Sequence, residues 1–223
     1  NMTFVLIHEE GEWSYGSNLW LSSISENGEY IIAGGRYSSS NRIQIFRVSE
    51  STPLISYQTD SSSYILSVDI SADGRHAVAI DYNKLYYFDV NSTEDDEPTW
   101  VWNSGNDNLR YVAISDTGGK IAVQEYSYLR VFTIDSSSVS WSAYCCYRHN
   151  PVFSADGNLV MNTDYSADRL KVYSTQTGSL ISSIDVGFDM DCCHSNMISL
   201  SLSADGKYAV VTRGRDGSWD KIA

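Results

Sequence analysis

Four cysteines fall in two adjacent pairs, Cys145-Cys146 and Cys192-Cys193, and each pair stands a similar distance ahead of a Ser-Ala-Asp-Gly segment. An even number of cysteines at matching places suits two disulfides tying neighbouring connections together in an oxidising compartment. With His149 and His194 the same thiols also form a zinc or copper ligand set. Zinc sites, however, usually space their cysteines two to four residues apart, because adjacent side chains diverge, so disulfides are the expected state and ordinary reduced thiols the third alternative. Two Asn-x-Ser/Thr sequons, at Asn1 and Asn91, point the same way, to a secreted chain carrying glycans. Asn1 is not an initiator methionine and no charged-then-apolar leader precedes it, which suits a processed protein or a fragment.

A second constellation stands seven residues before five recurrent serines: Asn18, Tyr64, Asn108, Tyr147 and Asn196. Amides bond hydroxyls and aromatic faces stack on sugar rings, so this rim could hold a carbohydrate. The plainer reading makes these side chains loop caps at strand starts. Acid–base chemistry finds less support. A glycosidase needs two carboxylates some 5 to 10 Å apart, yet two residues before the recurrent serines stand Ser23, Asp69, Ala113, Val152 and Ser201, with one acid among them. Asp116-Thr117-Gly118 matches the short aspartic-protease triplet but is itself a copy of the repeated turn. Gly118-Gly119-Lys120 lacks the spacing of a phosphate loop, and no His-Glu-x-x-His or Gly-x-Ser-x-Gly occurs. The acidic run Glu94 to Glu97 reads as a solvated loop, with calcium as the lesser alternative. No enzyme activity, cofactor or metal is expected.

The elements that must position these residues come from a repeat. One turn occurs five times, at Ile24 to Gly28, Ile70 to Gly74, Ile114 to Gly118, Phe153 to Gly157 and Leu202 to Gly206. Each copy follows alternating apolar residues, and its glycine supplies the positive φ of a tight hairpin. A second strand follows each turn, from Tyr30, Ala77, Ile121, Leu159 and Tyr208. A third carries an aliphatic residue three before an aromatic, as in Ile43 to Phe46, Leu85 to Phe88, Leu129 to Phe132 and Leu170 to Tyr173. A fourth is read at Leu54 to Tyr57, Trp100 to Trp102, Val139 to Trp141 and Leu180 to Ile184. Four short strands in about 45 residues is the pattern of a propeller blade.

The expected fold is therefore all-β, one domain over 1–223, a five-bladed β-propeller with blades at approximately 17–60, 61–104, 105–143, 144–187 and 188–223. The last copy reads as two strands only, so the fifth blade is expected to be split, with Thr3 to Ile7 and Glu12 to Tyr15, within 1–16, completing it. Completion within one chain gives a closed monomer; completion between chains gives a head-to-tail assembly; a piece of a larger propeller is the remaining alternative.

At these turn and strand residues the chain resembles the WD-repeat and quinoprotein-like propeller families, whose blades often read as an apolar strand, Ser-x-Asp-Gly, then a second strand. The resemblance covers nearly the whole chain and implies architecture, not activity. Its only Trp-Asp pair, Trp219-Asp220, lies near the end and not after a third strand, and the calcium and quinone constellation of the quinoprotein dehydrogenases is missing.

Lys and Arg number 15 against 28 Asp and Glu, for a formal charge of −13. That balance repels phosphate backbones and anionic lipid, and no apolar run approaches the ~20 residues of a spanning helix. Nucleic acid and membrane insertion are thus not expected. The functional expectation is a non-enzymatic extracellular or cell-surface propeller with a structural or adhesive role, binding protein, including other copies of itself. A lectin-like carbohydrate binder is the alternative, and a glycosidase-like enzyme the weaker one.

Overall fold

The computed structural model describes residues 4–8, 11–15, 19–35, 42–60, 64–92, 96–105, 108–145, 149–164, 168–186, 198–215 and 218–222. The Ser-x-Asp-Gly turn organises everything else. In the second copy, Gly74 N–H donates to the Ser71 carbonyl at 3.0 Å and Ser71 N–H to that of His76 at 2.8 Å. The Ser71 hydroxyl donates to Asp73 Oδ1 at 2.7 Å and accepts from His76 N–H, while Arg75 N–H donates to the same Asp73 oxygen. The serine and aspartate side chains of the tip are thus satisfied within the tip. The same bonds recur at Ser154 and Ser203, and all five turn glycines lie at φ between 69° and 74°, where a side chain would be strained.

These hairpins nucleate antiparallel sheets. β1 (Phe4–His8) pairs with β2 (Gly11–Tyr15). Four sheets of four strands follow: β3 (Leu19–Ile24), β4 (Tyr30–Gly35), β5 (Arg42–Arg47) and β6 (Pro53–Gln58); β7 (Ser67–Ile70), β8 (His76–Ile80), β9 (Lys84–Asp89) and β10 (Trp100–Asn103); β11 (Leu109–Ile114), β12 (Lys120–Glu125), β13 (Tyr128–Thr133) and β14 (Trp141–Tyr144); β15 (Val152–Phe153), β16 (Leu159–Asp164), β17 (Arg169–Ser174) and β18 (Leu180–Asp185). A three-stranded sheet of β19 (Ile198–Leu202), β20 (Ala209–Arg215) and β21 (Ser218–Ile222) ends the series. The first strands of successive sheets, β3, β7, β11, β15 and β19, contact one another in order. Four-stranded sheets placed side by side by their first strands are the blades of a β-propeller.

The core lies between blades. Ile32, Ile43 and Ile45 of the first blade pack on Ile70, Ala77, Ala79, Tyr86 and Phe88 of the second. Val78, Ile80 and Leu85 of the second pack on Val112, Ile121 and Phe132 of the third. Trp100 reaches from β10 to donate its indole N–H to the Ile134 carbonyl at 2.7 Å, and Trp141 repeats this from β14 to Thr175 at 2.8 Å.

Two expectations are corrected. Among the described residues β1 and β2 hydrogen-bond only with each other, and β21, not an amino-terminal strand, takes the third place beside β20. Among the described residues the last sheet thus takes its third strand from the carboxy-terminal segment and not from 1–16, with Arg215 of β20 paired to Ser218 of β21. The fourth strand of the third blade lies at Trp141–Tyr144 and not at Val139 to Trp141. Trp141 pairs with Val131 and Tyr144 with Tyr128, so pairing along all of β13 outweighs the early apolar residue Val139.

Candidate functional site

Three of the four junctions between blades set a knob against a socket; at the junction of the third and fourth blades, Gly157 meets Ser115 and Thr117 of the preceding turn itself. In the other three the first residue after a turn, five beyond its serine, packs over the glycine of the next turn. A methyl added at Gly74 would collide with the Tyr30 ring, one at Gly118 with the His76 ring, and one at Gly206 with Leu159. Backbone bonds join successive turns: Asn27 N–H donates to the Ala72 carbonyl, Ala72 N–H to that of Asp116 and Ala155 N–H to that of Ala204, each at 3.1 Å. Below them, alternate residues of the second strand meet the last residue of the next first strand, as Ile32 meets Ile70.

Among the described residues the first and last turns differ from those between them. A methyl at Gly28 would meet nothing within 4 Å. Beside it opens a hollow of ≈ 400 Å³ lined by Gly28, Glu29, Tyr30, Arg47, Val48 and Ser49. Ile24 and Trp20 on the same side of β3 are 55% and 40% exposed, whereas Ile70, the counterpart of Ile24, is 6% exposed. At the other end Tyr208 is 73% exposed and Val210 44%; their counterparts in the first blade are Tyr30, packed on Gly74, and Ile32, fully buried. The outer strand β18 likewise leaves Leu180, Ile181 and Ile184 exposed. Contiguous exposed apolar side chains of this kind mark surfaces for protein contact.

Asp69 is the acid that the sequence singles out, and it is fully engaged as a staple. Its Oδ1 accepts from Ser23 Oγ at 3.1 Å and from Ile70 N–H at 3.0 Å, and its Oδ2 from Ile114 N–H at 2.9 Å, so one carboxylate joins three blades. Burial pushes it up to about 6 despite those three donors.

The amide and tyrosine rim is only partly visible. Tyr64 and Asn108 are exposed; Asn18, Tyr147 and Asn196 lie outside the described residues. Cys145 is 1% exposed and is a buried thiol, not half of a disulfide. Its Sγ lies 3.5 Å from both the Oε1 and the Nε2 of Gln124 and 3.4 Å from Asn162 Nδ2, and Asn162 also donates to Gln124. The disulfide expectation is corrected for this residue, because the sulfur points into an amide cluster between the third and fourth blades. Cys146, Cys192, Cys193 and His194 lie outside the described residues. His149 is partly buried, and among the described residues no group of three His, Cys, Asp or Glu could hold a metal ion. Asn91 is exposed at the turn after β9; Asn1 lies outside the described residues. In the acidic run, Asp96 adopts φ 58° and accepts from Ser56 N–H at 3.1 Å, fastening the loop to β6.

Sequence reasoning missed the reaching tryptophans, the knob-and-socket junctions and the buried amides Gln124 and Asn162. The tryptophans had a signal, since Trp100 and Trp141 each stand thirty-four residues before the carbonyl they bond. The buried amides had none, because only the register of the strands reveals which polar residues meet.

Fold and junctions together define a β-propeller. Among solved structures the chain is similar to the crystal structure of the β-propeller domain of Cps50 (Swd1) from Myceliophteria thermophila, with a TM-score of 0.66 at 13% identity, covering 89% of this chain and 63% of that one. The chain thus spans under two thirds of that domain's length. No protein-family model and no curated protein matches.

Proposed function

We propose that this propeller is a non-enzymatic, extracellular protein-interaction scaffold with a structural or adhesive role. The observation that carries the reading is the exposed apolar surface of the outer strand β18 of the fourth blade, where Leu180, Ile181 and Ile184 stand in solvent. Burying an apolar side chain of this size stabilises a contact by roughly 1.5 to 3 kcal/mol before the costs of association. Two further features support it. Asp69, the candidate acid, has its oxygens committed to Ser23, Ile70 and Ile114, and the surplus of acidic residues favours protein partners over phosphate backbones. An exposed Asn91 suits a chain glycosylated at that sequon.

Site-specific photocrosslinking tests the reading. A photoreactive residue placed at Ile181 is expected to trap protein, while one at Val101, exposed on an outer strand of the second blade, traps none above background. Equal labelling at the two positions, or saturable binding of the chain to a glycan array with no protein trapped at Ile181, overturns it.

A further inference from the structure

Two beyond its turn serine the first copy of the repeat holds Asn27, where Asp73, Asp156 and Asp205 stand in three of the others. Gly28 follows it, in the sequence's only Asn-Gly step. The side-chain oxygen does what the aspartates do. Asn27 Oδ1 accepts from Ser25 Oγ at 2.6 Å and from Glu29 N–H at 3.0 Å, as Asp73 Oδ1 accepts from Ser71 and Arg75. The side-chain nitrogen does what no aspartate can. It donates to the Asp73 carbonyl at 3.1 Å and to Glu29 Oε2 at 3.3 Å. The first turn is thereby tied to the second, beside the backbone bond from Asn27 N–H to the Ala72 carbonyl.

An Asn-Gly step carries its own reaction, because glycine has no side chain to crowd its nitrogen. Gly28 N attacks Asn27 Cγ, the new N–Cγ bond closes a five-membered imide, and the Cγ–Nδ2 bond breaks. Ammonia leaves with the proton from Gly28 N–H. Water then opens the imide, at Cγ to give aspartate or at the main-chain carbonyl to give isoaspartate. The fold holds both nitrogens of this reaction. Gly28 N–H donates to the Ser25 carbonyl at 2.9 Å, and the leaving Nδ2 is bound to Asp73 and Glu29.

We propose that Asn27 is a modification site whose spontaneous deamidation is held back by the tie to the second turn and proceeds when the two turns part. The reaction then makes the parting lasting. A carboxylate at 27 keeps the turn's own bonds, as Asp73 does, but has no hydrogen to give the Asp73 carbonyl and adds a negative charge beside Glu26 and Glu29. Isoaspartate lengthens the backbone by one carbon and fits neither turn nor tie. Water reaches this position even where the turn's glycine is covered, since Asp73 and Asp156 are exposed as Asn27 is. The site is a one-way record of opening between the first two blades.

Incubation of the purified chain at mildly alkaline pH, with peptide mapping by mass and isoaspartate labelling at residue 27, tests the proposal. The folded chain is expected to react ~10-fold or more slowly than the same chain in denaturant, because the rate follows the population of the open form. Gly74→Ala, whose methyl collides with the Tyr30 ring, raises the folded rate several-fold. Gly206→Ala places a like collision, with Leu159, at the last junction and leaves the rate unchanged. Asn27→Asp gives a second measurement that needs no strained glycine. Amide exchange at residue 27, whose N–H donates to Ala72, should quicken several-fold in this variant. Exchange at Tyr30, whose N–H donates to Ser25 Oγ within the tip, should hold. Equal rates in folded and unfolded chain overturn the proposal, as does Gly206→Ala accelerating the reaction as much as Gly74→Ala, or exchange at residue 27 that is the same in Asn27→Asp and wild type.

Discussion

The junction between the first and second blades and the outer face of the first blade are built from the same turn, yet one is closed and the other open. Gly74 lies under the Tyr30 ring, and Ile70 beside it is buried. Gly28 has a φ within a few degrees of it and a turn serine at the same place, but among the described residues nothing lies within 4 Å of a methyl there, and Ile24 is more than half exposed. Local sequence thus makes the hairpin, and only the presence of a neighbour makes the core. The turn's bonds close internally, so a tip forms with or without a blade beside it, whereas the apolar residues flanking it are buried only in company.

The sharpest way to break that comparison is to put the same methyl on both glycines. Gly74→Ala and Gly28→Ala share the strain of a side chain at positive φ, about 1 to 2 kcal/mol. Gly74→Ala adds a collision with Tyr30, and overpacking of a filled site costs typically 1 to 3 kcal/mol more. Denaturant unfolding of dilute protein is expected to place Gly74→Ala about 2 kcal/mol below Gly28→Ala. Equal losses would mean that Tyr30 yields without cost and that the junctions are not close-packed.

The next effect concerns what a middle blade holds that an end sheet does not. Asp69 binds Ser23 on one side and Ile114 N–H on the other, while the same position of the last sheet holds Ser201, which carries no carboxylate. Asp69→Ala leaves the Ile70 and Ile114 N–H groups short of an acceptor, at a cost of about 2 kcal/mol at neutral pH. The pH dependence has a definite sign. A carboxyl raised to about 6 in the folded chain, from near 3.9 when unfolded, binds its proton more tightly in the folded state. Its favourable contribution is therefore complete below about pH 4 and is lost as pH rises through about 6. Wild-type stability should fall across that window relative to Asp69→Ala, and parallel profiles for the two proteins would remove Asp69 from the account.

Much of the architecture was legible because a turn and a strand are local. Ser-x-Asp-Gly announces its own hydrogen bonds, and the aliphatic-to-aromatic spacing of Leu85 to Phe88 or Leu129 to Phe132 marks the third strands. The third strand of the last sheet escaped the same kind of signal: Ser218–Ile222 has no aromatic three residues after an aliphatic one, so the repeat pattern passed over it. Contacts between blades were less legible. That Cys145 meets Gln124 and Asn162 depends on β14, β12 and β16 being in register, and no spacing along one strand encodes that. The open ends were invisible for another reason, since Ile24 and Ile70, or Tyr30 and Tyr208, are alike as residues and differ only in what lies across from them.

The smallest expected effect tests whether the turns themselves are indifferent to their neighbours. Asp156 sits at an interior junction and Asp205 on the last sheet, and both are held below the usual carboxylate range, by the Ser154 hydroxyl and Asn158 N–H in one case and by the Ser203 hydroxyl and Lys207 N–H in the other. A depressed carboxylate contributes stability above its unfolded value and loses it as pH falls through the folded one, so both tips should loosen only below about pH 4. If the tip is self-contained, amide exchange at Leu159 and Tyr208, whose N–H groups donate to Ser154 and Ser203 Oγ, should quicken over the same acid range, with Tyr208, which is 73% exposed, the faster throughout. A transition at Leu159 displaced well to the acid side of that at Tyr208 would mean that the neighbouring blade, and not the turn's own serine, sets the affinity of the aspartate for its proton.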